Sequence, residues 1–150
     1  MQSTATIPGA AAWTARRRTV AILAGLFGLA LAANAVWMLA DPGGWYGAVP
    51  RVGDTGPYNQ HFVRDVAVTY LGLALALGVA AWRTGARPAV LWFAALLLGL
   101  HALLHLWDVA AARLPLDHLW IDLPGVFLPP LLAAWLARRS QSEALKGDLR

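Results

Sequence analysis

Four apolar runs, each about as long as a bilayer is thick, constrain this chain more than any other feature. They cover Thr19 to Ala40, about Phe62 to Trp82, Pro88 to about Ala112, and about Leu119 to Ala137. A helix needs about 20 apolar residues to cross the roughly 30 Å of hydrocarbon, and only helices or closed barrels satisfy their backbone there. Runs rich in Ala and Leu are typical of helices. The sequence therefore predicts an all-α fold, a bundle of four transmembrane helices.

Composition agrees with a lipid environment. Of the 150 residues, 59% are hydrophobic and 13% are charged, whereas about a quarter of an ordinary soluble domain is charged. The length suits a single membrane domain with an outer loop at 41–60 and flexible tails at 1–15 and 140–150. A net charge of +4 could indicate nucleic acid, but the basic residues stand at the ends of the apolar runs. The positive-inside rule explains them better, so no nucleic-acid partner is expected.

The distribution of Lys and Arg predicts the orientation. Most of them flank the start of the first run, the turn between the second and third, and the end of the fourth. Both termini should therefore be cytoplasmic, in the inner (plasma) membrane of a bacterium, with all four His on the outer face. The first run could instead be a cleaved signal peptide ending at Ala33-x-Ala35. We prefer the uncleaved helix because the apolar run continues to Ala40.

The first connection, Asp41 to Gln60, has no helical periodicity. Loops of this length in compact domains are usually functional or disordered. We expect this one to fold over an outer pocket as a lid, held by Trp45, Tyr46 and Tyr58.

The third run ends in "HALLHLWD", which places three polar side chains inside an apolar helix. His101, His105 and Asp108 fall within about 60° of one another on the helix wheel. Two His at i, i+4 can present both imidazoles to one metal ion, and a carboxylate can act as third ligand or orient an imidazole. His61 and Asp65 form a similar pair at the start of the second helix. The predicted metal site therefore comprises His61, Asp65, His101, His105 and Asp108.

This mixed nitrogen and oxygen set suits Zn, Fe or Cu(II), and the absence of Cys excludes thiolate sites. Haem and quinone are less favoured as cofactors. For haem the reason is that two His on one helix face cannot serve opposite sides of the same haem. Asn34, Arg64 and Asp122 are candidate contacts to an organic cofactor. Asp122 enters the membrane because the fourth run is short, and Pro129-Pro130 should kink that helix about mid-span.

Structural interpretations compete with these. A His–Asp hydrogen bond between helices stabilises many membrane proteins, by about 0.6 to 2 kcal/mol. The chain could then be a non-enzymatic membrane subunit that binds a partner, a second copy, a quinone or a lipid. The sequence predicts no particular reaction.

Two motifs resemble a known group. A second helix opening "NQHFVRD" (59–65), followed by His101 and His105 in H-x-x-x-H spacing, resembles small uncharacterised bacterial four-helix membrane proteins that are broadly DoxX-like. The resemblance covers roughly residues 19 to 137. It implies a four-helix bundle and, from some relatives, an accessory subunit of a quinone-linked oxidoreductase. Ala67 stands where the group's pattern has Gly.

Overall fold

A computed structural model describes residues 10–148 of this chain, with side chains described for 14–142. The described residues form helices and no strands, which confirms the all-α prediction. In chain order the elements are α1 (Ala10–Ala40), α2 (Pro42–Ala48), a 3₁₀ turn (Val52–Thr55), α3 (Gln60–Trp82), α4 (Arg87–Ala110), α5 (His118–Ile121), a π-helical segment (Leu123–Phe127) and α6 (Leu128–Asp148).

The long helices extend beyond the apolar runs. α1 begins at Ala10 and α6 ends at Asp148, so both enter the predicted tails, whose residues 1–9 and 149–150 lie outside the described part. The connection predicted to lack helix also differs, because α2 forms within it. Asp41 accepts a hydrogen bond from the Gly44 amide at 2.9 Å and thereby caps α2, while Pro42 suits the first turn because it has no amide to satisfy.

The fourth run is not one helix. The Asp122 carbonyl accepts from the amides of both Val126, at 2.7 Å, and Phe127, at 3.3 Å, which widens the helix into a π-turn. α6 then begins at Leu128, with Pro129 and Pro130 in its first turn. The break thus precedes the prolines instead of lying at them, because a first turn needs no amide donors and tolerates proline.

Three helical stretches are long and apolar enough to cross a membrane: Thr14–Ala40, Gln60–Trp82 and Arg87–Ala110. α6 does not meet this criterion within the described residues. Large apolar side chains cover the outside of these helices, among them Leu29, Leu75, Leu96 and Leu103. Such an outer surface is suited to lipid and indicates a membrane-associated protein.

The four long helices pack in chain order, α1 on α3, α3 on α4, α4 on α6, and α6 back on α1. α1 and α3 run antiparallel in the closest contact. A Cβ added to Gly28 would lie 3.0 Å from the Ala74 carbonyl oxygen and 3.1 Å from the Leu77 Cβ. A glycine at 28 is therefore what allows the two backbones to approach this closely.

The two ends of the molecule are packed differently. We call the end with Arg16–Arg18 and the α3–α4 turn the arginine end, and the end with α2 and α5 the histidine end. Towards the arginine end a continuous core joins all four long helices. At the histidine end the buried cluster shrinks to Met38, Val63 and Ala67. The helices enclose a cavity there instead.

Arg87 closes the arginine end. Its side chain is 2% exposed. The guanidinium donates to the carbonyls of Ala80 at 2.7 Å and Ala81 at 3.0 Å, and to that of Arg17 at 3.3 Å. The last carbonyls of a helix have no partner within it. Arg87 thus caps α3 and ties the α3–α4 turn to α1.

Candidate functional site

A cavity of about 750 Å³ lies between the helices at the histidine end. Its walls come from the second half of α1, the first half of α3, the second half of α4 and the π-helical segment with the start of α6. The connection between α1 and α3 contributes Trp45, Tyr46 and residues 49–52, 55–57 and 59. The lining is mostly apolar, from residues such as Phe27, Leu31, Val66 and Leu98.

The connection is held in place by hydrogen bonds and ring contacts. The Trp45 indole donates to the Asn34 side-chain oxygen on α1 at 2.9 Å. The Tyr46 hydroxyl donates to the Gly56 carbonyl at 2.6 Å, and the Tyr46 and Tyr58 rings lie 5.2 Å apart. Gly56 has φ of +148°, a conformation that requires glycine. These contacts keep the segment against the cavity.

Two polar side chains reach the cavity without a hydrogen-bond partner in the described part of the chain. They are His101 on α4 and Tyr70 on α3. The His101 ring meets the His105 ring edge-on, with centroids 4.8 Å apart. The polar atoms of His101 and Tyr70 are therefore available to a ligand.

His105 begins a chain of hydrogen bonds that leads away from the cavity. Its Nδ1 lies 2.8 Å from Asp122 Oδ2. The same oxygen is 3.2 Å from Nδ1 of His118, and Nε2 of His118 is 3.2 Å from Asp54 Oδ2. His118 is 1% exposed and Asp122 12%, whereas Asp54 is 38% exposed. The chain thus links the cavity to the surface of the 3₁₀ turn.

Arg51 anchors the outer end of this chain. Its Nε donates to Asp54 Oδ2, and its Nη1 donates to Asp117 Oδ2 at 3.0 Å. Arg51 also has a left-handed backbone, with φ of 62°, which is uncommon for a residue other than glycine. The hydrogen bond from Arg51, and then that from His118, hold the pKa of Asp54 below its ordinary value. Arg51 and Asp54 thereby fasten the first connection to the α5 region.

The Asp54 contact predicts acid-triggered opening of the connection. Because the pKa of Asp54 is lowered on folding, its stabilising contribution is full above the ordinary value of 3.8 and is lost as the pH falls through the lower pKa of the folded state. We expect amide hydrogen exchange in residues 51–56, corrected for the intrinsic rate, to be slow at about pH 6 and faster at about pH 2. In Asp54→Asn this step should vanish. Equal protection at both pH values in the unaltered protein would contradict the assignment.

The predicted site residues fall into two groups. Asn34, His101, His105 and Asp122 line the cavity. His61, Arg64, Asp65 and Asp108 do not. His61 and Asp65 face outward from α3, 89% and 61% exposed, with His61 Nε2 3.5 Å from Asp65 Oδ2.

Arg64 and Asp108 are likewise engaged outside the cavity. Arg64 is exposed and donates a hydrogen bond to the side-chain oxygen of Gln60. Asp108 pairs with Arg113 at 3.2 Å. In the "NQHFVRD" motif, Asn59 caps α3 by accepting from the Phe62 amide at 3.1 Å.

The five predicted metal ligands are therefore not brought together. Among the described residues, no group of three or more His, Cys, Asp or Glu side chains is placed to hold a metal ion. The placement of His61 and Asp65 was wrong because the inward stripe of α3 is Val63, Ala67 and Leu73, whereas the Val68 side of the helix is exposed. The predicted zinc, iron or copper has no geometric support here.

Sequence reasoning missed Arg51, Asp54 and His118. Arg51 and Asp54 lie in the first connection and His118 begins a helix of only four residues, so periodicity carries no information on what these side chains face. One usable signal was present: "LPLDHLWID" (114–122) places His118 and Asp122 at i, i+4, the spacing that was noted for the other His pairs.

A scan against protein-family models found no match, and searches of the curated proteins and of the solved structures found none either. The DoxX-like resemblance therefore depends on the two motifs alone.

Proposed function

We propose that this protein is a multi-pass membrane protein that binds a lipophilic small molecule with a polar head group, of the quinone class, in the cavity at the histidine end. The observation that carries this proposal is the meeting of His101, His105 and Asp122 with a largely apolar cavity of about 750 Å³.

The size and lining of the cavity support an organic ligand. Pockets for small molecules usually measure about 300 to 1,000 Å³, with apolar walls and a few polar groups that orient the ligand. His101 and Tyr70 have no hydrogen-bond partner in the described part of the chain, so they are free to bond to such a head group. Ionisable side chains within apolar helices usually mark a functional site. The rest of the lining would hold a hydrocarbon tail.

Replacing His101 tests the proposal. We expect a benzoquinone with a decyl chain to bind the detergent-solubilised protein, and His101→Leu to weaken binding about tenfold or more through loss of a hydrogen bond. Isothermal titration measures both affinities. His61→Leu is the matched control, because His61 is 89% exposed on α3 and should leave affinity unchanged. Absence of binding to the unaltered protein, or equal affinity in His101→Leu, would refute the proposal.

We also propose four membrane crossings with both termini cytoplasmic. Residues 118–137, which comprise α5, the π-helical segment and the start of α6, would form the fourth crossing, since about 20 helical residues span about 30 Å. This arrangement would place the histidine end and the cavity in the outer half of the bilayer. A DoxX-like identity would agree with it and with an accessory role beside a quinone-linked enzyme.

Reporter fusions test the topology. A reporter after Arg150 and one between Gly85 and Ala86 should both read cytoplasmic, because Lys and Arg cluster at these positions. A reporter between Gly53 and Asp54 should read external. An external reading at the C-terminus would overturn the fourth crossing.

A further inference from the structure

The hydrogen-bonded chain from His105 to Asp54 connects the proposed ligand site with water. We propose that His105, Asp122, His118 and Asp54 form a proton relay, through which a ligand in the cavity exchanges protons with solvent at the 3₁₀ turn. The inference rests on the proposed function, and it narrows the ligand to molecules with an ionisable hydroxyl, such as phenols and hydroquinones.

The positions of the protons on either side of His118 follow from its two partners. Each ring nitrogen of His118 faces a carboxylate oxygen, Asp122 Oδ2 on one side and Asp54 Oδ2 on the other, both at 3.2 Å. A carboxylate only accepts hydrogen bonds, so each of the two gaps must hold one proton. Asp54 also accepts from Arg51 and is therefore the ionised partner. His118 thus donates through Nε2 and shares the second proton with Asp122.

The charged groups around His118 are arranged along the chain. Asp122 faces it from the end of α5, and Asp54 faces it from the 3₁₀ turn. Arg51 and Asp117 lie one contact further out. The buried imidazole therefore has a carboxylate partner at each of its ring nitrogens. Such a bridging His, with one ring nitrogen towards the interior and one towards the surface, is the usual means of passing protons in membrane proteins.

The transfer balances without any further reactant. A ligand hydroxyl gives its proton to His105, and the Nδ1 proton of His105 moves to Asp122. The proton between Asp122 and His118 moves fully onto Nδ1 of His118, while the Nε2 proton passes to Asp54 and then to water. Exchange of a proton between the two nitrogens of His105, and likewise between those of His118, restores the starting state. One proton enters and one leaves, and the low pKa of Asp54 favours the last release.

The protonation of His118 can be measured without a ligand. In protein labelled with ¹⁵N-histidine and placed in lipid nanodiscs at about pH 7, we expect both ring nitrogens of His118 to carry or share a proton. In Asp54→Asn the Nε2 nitrogen should change its shift, because the charged acceptor is gone. A His118 whose Nε2 carries no proton in the unaltered protein would overturn the relay, whatever the cavity binds.

Transfer itself is measured with 4-nitrophenol that bears an octyl chain, since its absorbance reports loss of the hydroxyl proton. After a rapid pH jump, Asp54→Asn should slow deprotonation of the bound probe about tenfold or more, because an amide accepts a hydrogen bond but does not take up the proton. Asp117→Asn is the matched control: it also removes a carboxylate from Arg51, but it lies off the chain.

The outcomes separate the two proposals. Slowing in Asp54→Asn alone supports the relay. Binding of the probe with equal rates in all three proteins refutes the relay and leaves the proposed function intact, with the chain acting only to fasten the connection. Absence of probe binding counts against the proposed function for this ligand class, and against the inference that the ligand carries an ionisable hydroxyl. The ¹⁵N measurement then decides the protonation of His118.

Discussion

Replacing Asp122 by leucine is expected to lower the free energy of unfolding by about 3 kcal/mol. Asp122 is 12% exposed and accepts from both His105 and His118. Its loss leaves the Nδ1 nitrogens of His105 and His118 without their shared carboxylate partner. Removing one partner from a buried pair is far more destabilising than replacing all of its members by apolar side chains. Unfolding in mild detergent, followed by circular dichroism during a denaturant titration, measures the change.

Asp108→Leu is the control for this variant. Asp108 pairs with Arg113, which is 64% exposed, and exposed ion pairs contribute about 0 to 1 kcal/mol. Its replacement should therefore change the unfolding free energy little. Equal losses in the two variants would show that Asp122 has no special place in the fold.

Gly28→Leu is the second variant with a large expected effect, a loss of about 3 kcal/mol in unfolding free energy. The added side chain would meet the Ala74 carbonyl oxygen at 3.0 Å, and a backbone atom on a packed helix cannot move aside alone. α3 as a whole would have to shift from α1, and these two helices share the most extensive contact in the described chain. The same detergent titration measures the loss.

Gly72→Leu provides the comparison. It lies on α3, yet no atom stands within 4 Å of the Cβ it would gain. Leucine also favours helix over glycine, by about 0.8 kcal/mol, so this variant should be unchanged or slightly more stable. A Gly28→Leu protein as stable as Gly72→Leu would mean that α1 and α3 are not in close backbone contact at this position.

Apolar length alone was enough to predict the existence of α1, α3 and α4 and where each of them ends. α1 ends at Ala40 and α3 at Trp82, as the runs indicate, and α4 ends two residues before the predicted Ala112. The π-helical segment was not predictable from periodicity, because it is defined by the Asp122 carbonyl accepting from both Val126 and Phe127 within a continuous apolar run. α2 was missed since three glycines obscure its pattern and its stability comes from the Asp41 cap.

The candidate site was predicted in part, for a physical reason. His101 lies more than two turns inside the end of the apolar helix α4, where a polar side chain must turn inward, and His105 lies one turn further on along the same face. His61 and Asp65 lie within the first two turns of α3, where water is close, so facing outward carries no penalty. Their i, i+4 spacing was the same as that of His101 and His105, and spacing does not report depth. The partners in the connections depend on contacts between distant parts of the chain, such as His118 with Asp54.

Hydrogen bonds from Arg87 fasten the arginine end of the molecule. They join the C-terminal end of α3, the first turn of α4 and α1 at a single buried guanidinium, so this end of the molecule acts as a fixed pivot. The opposite end is held by Arg51 and Asp54, whose side chains are more than a third exposed. The arginine end is therefore the more firmly fastened of the two, and any separation of helices that would admit a ligand of the proposed class is expected at the histidine end.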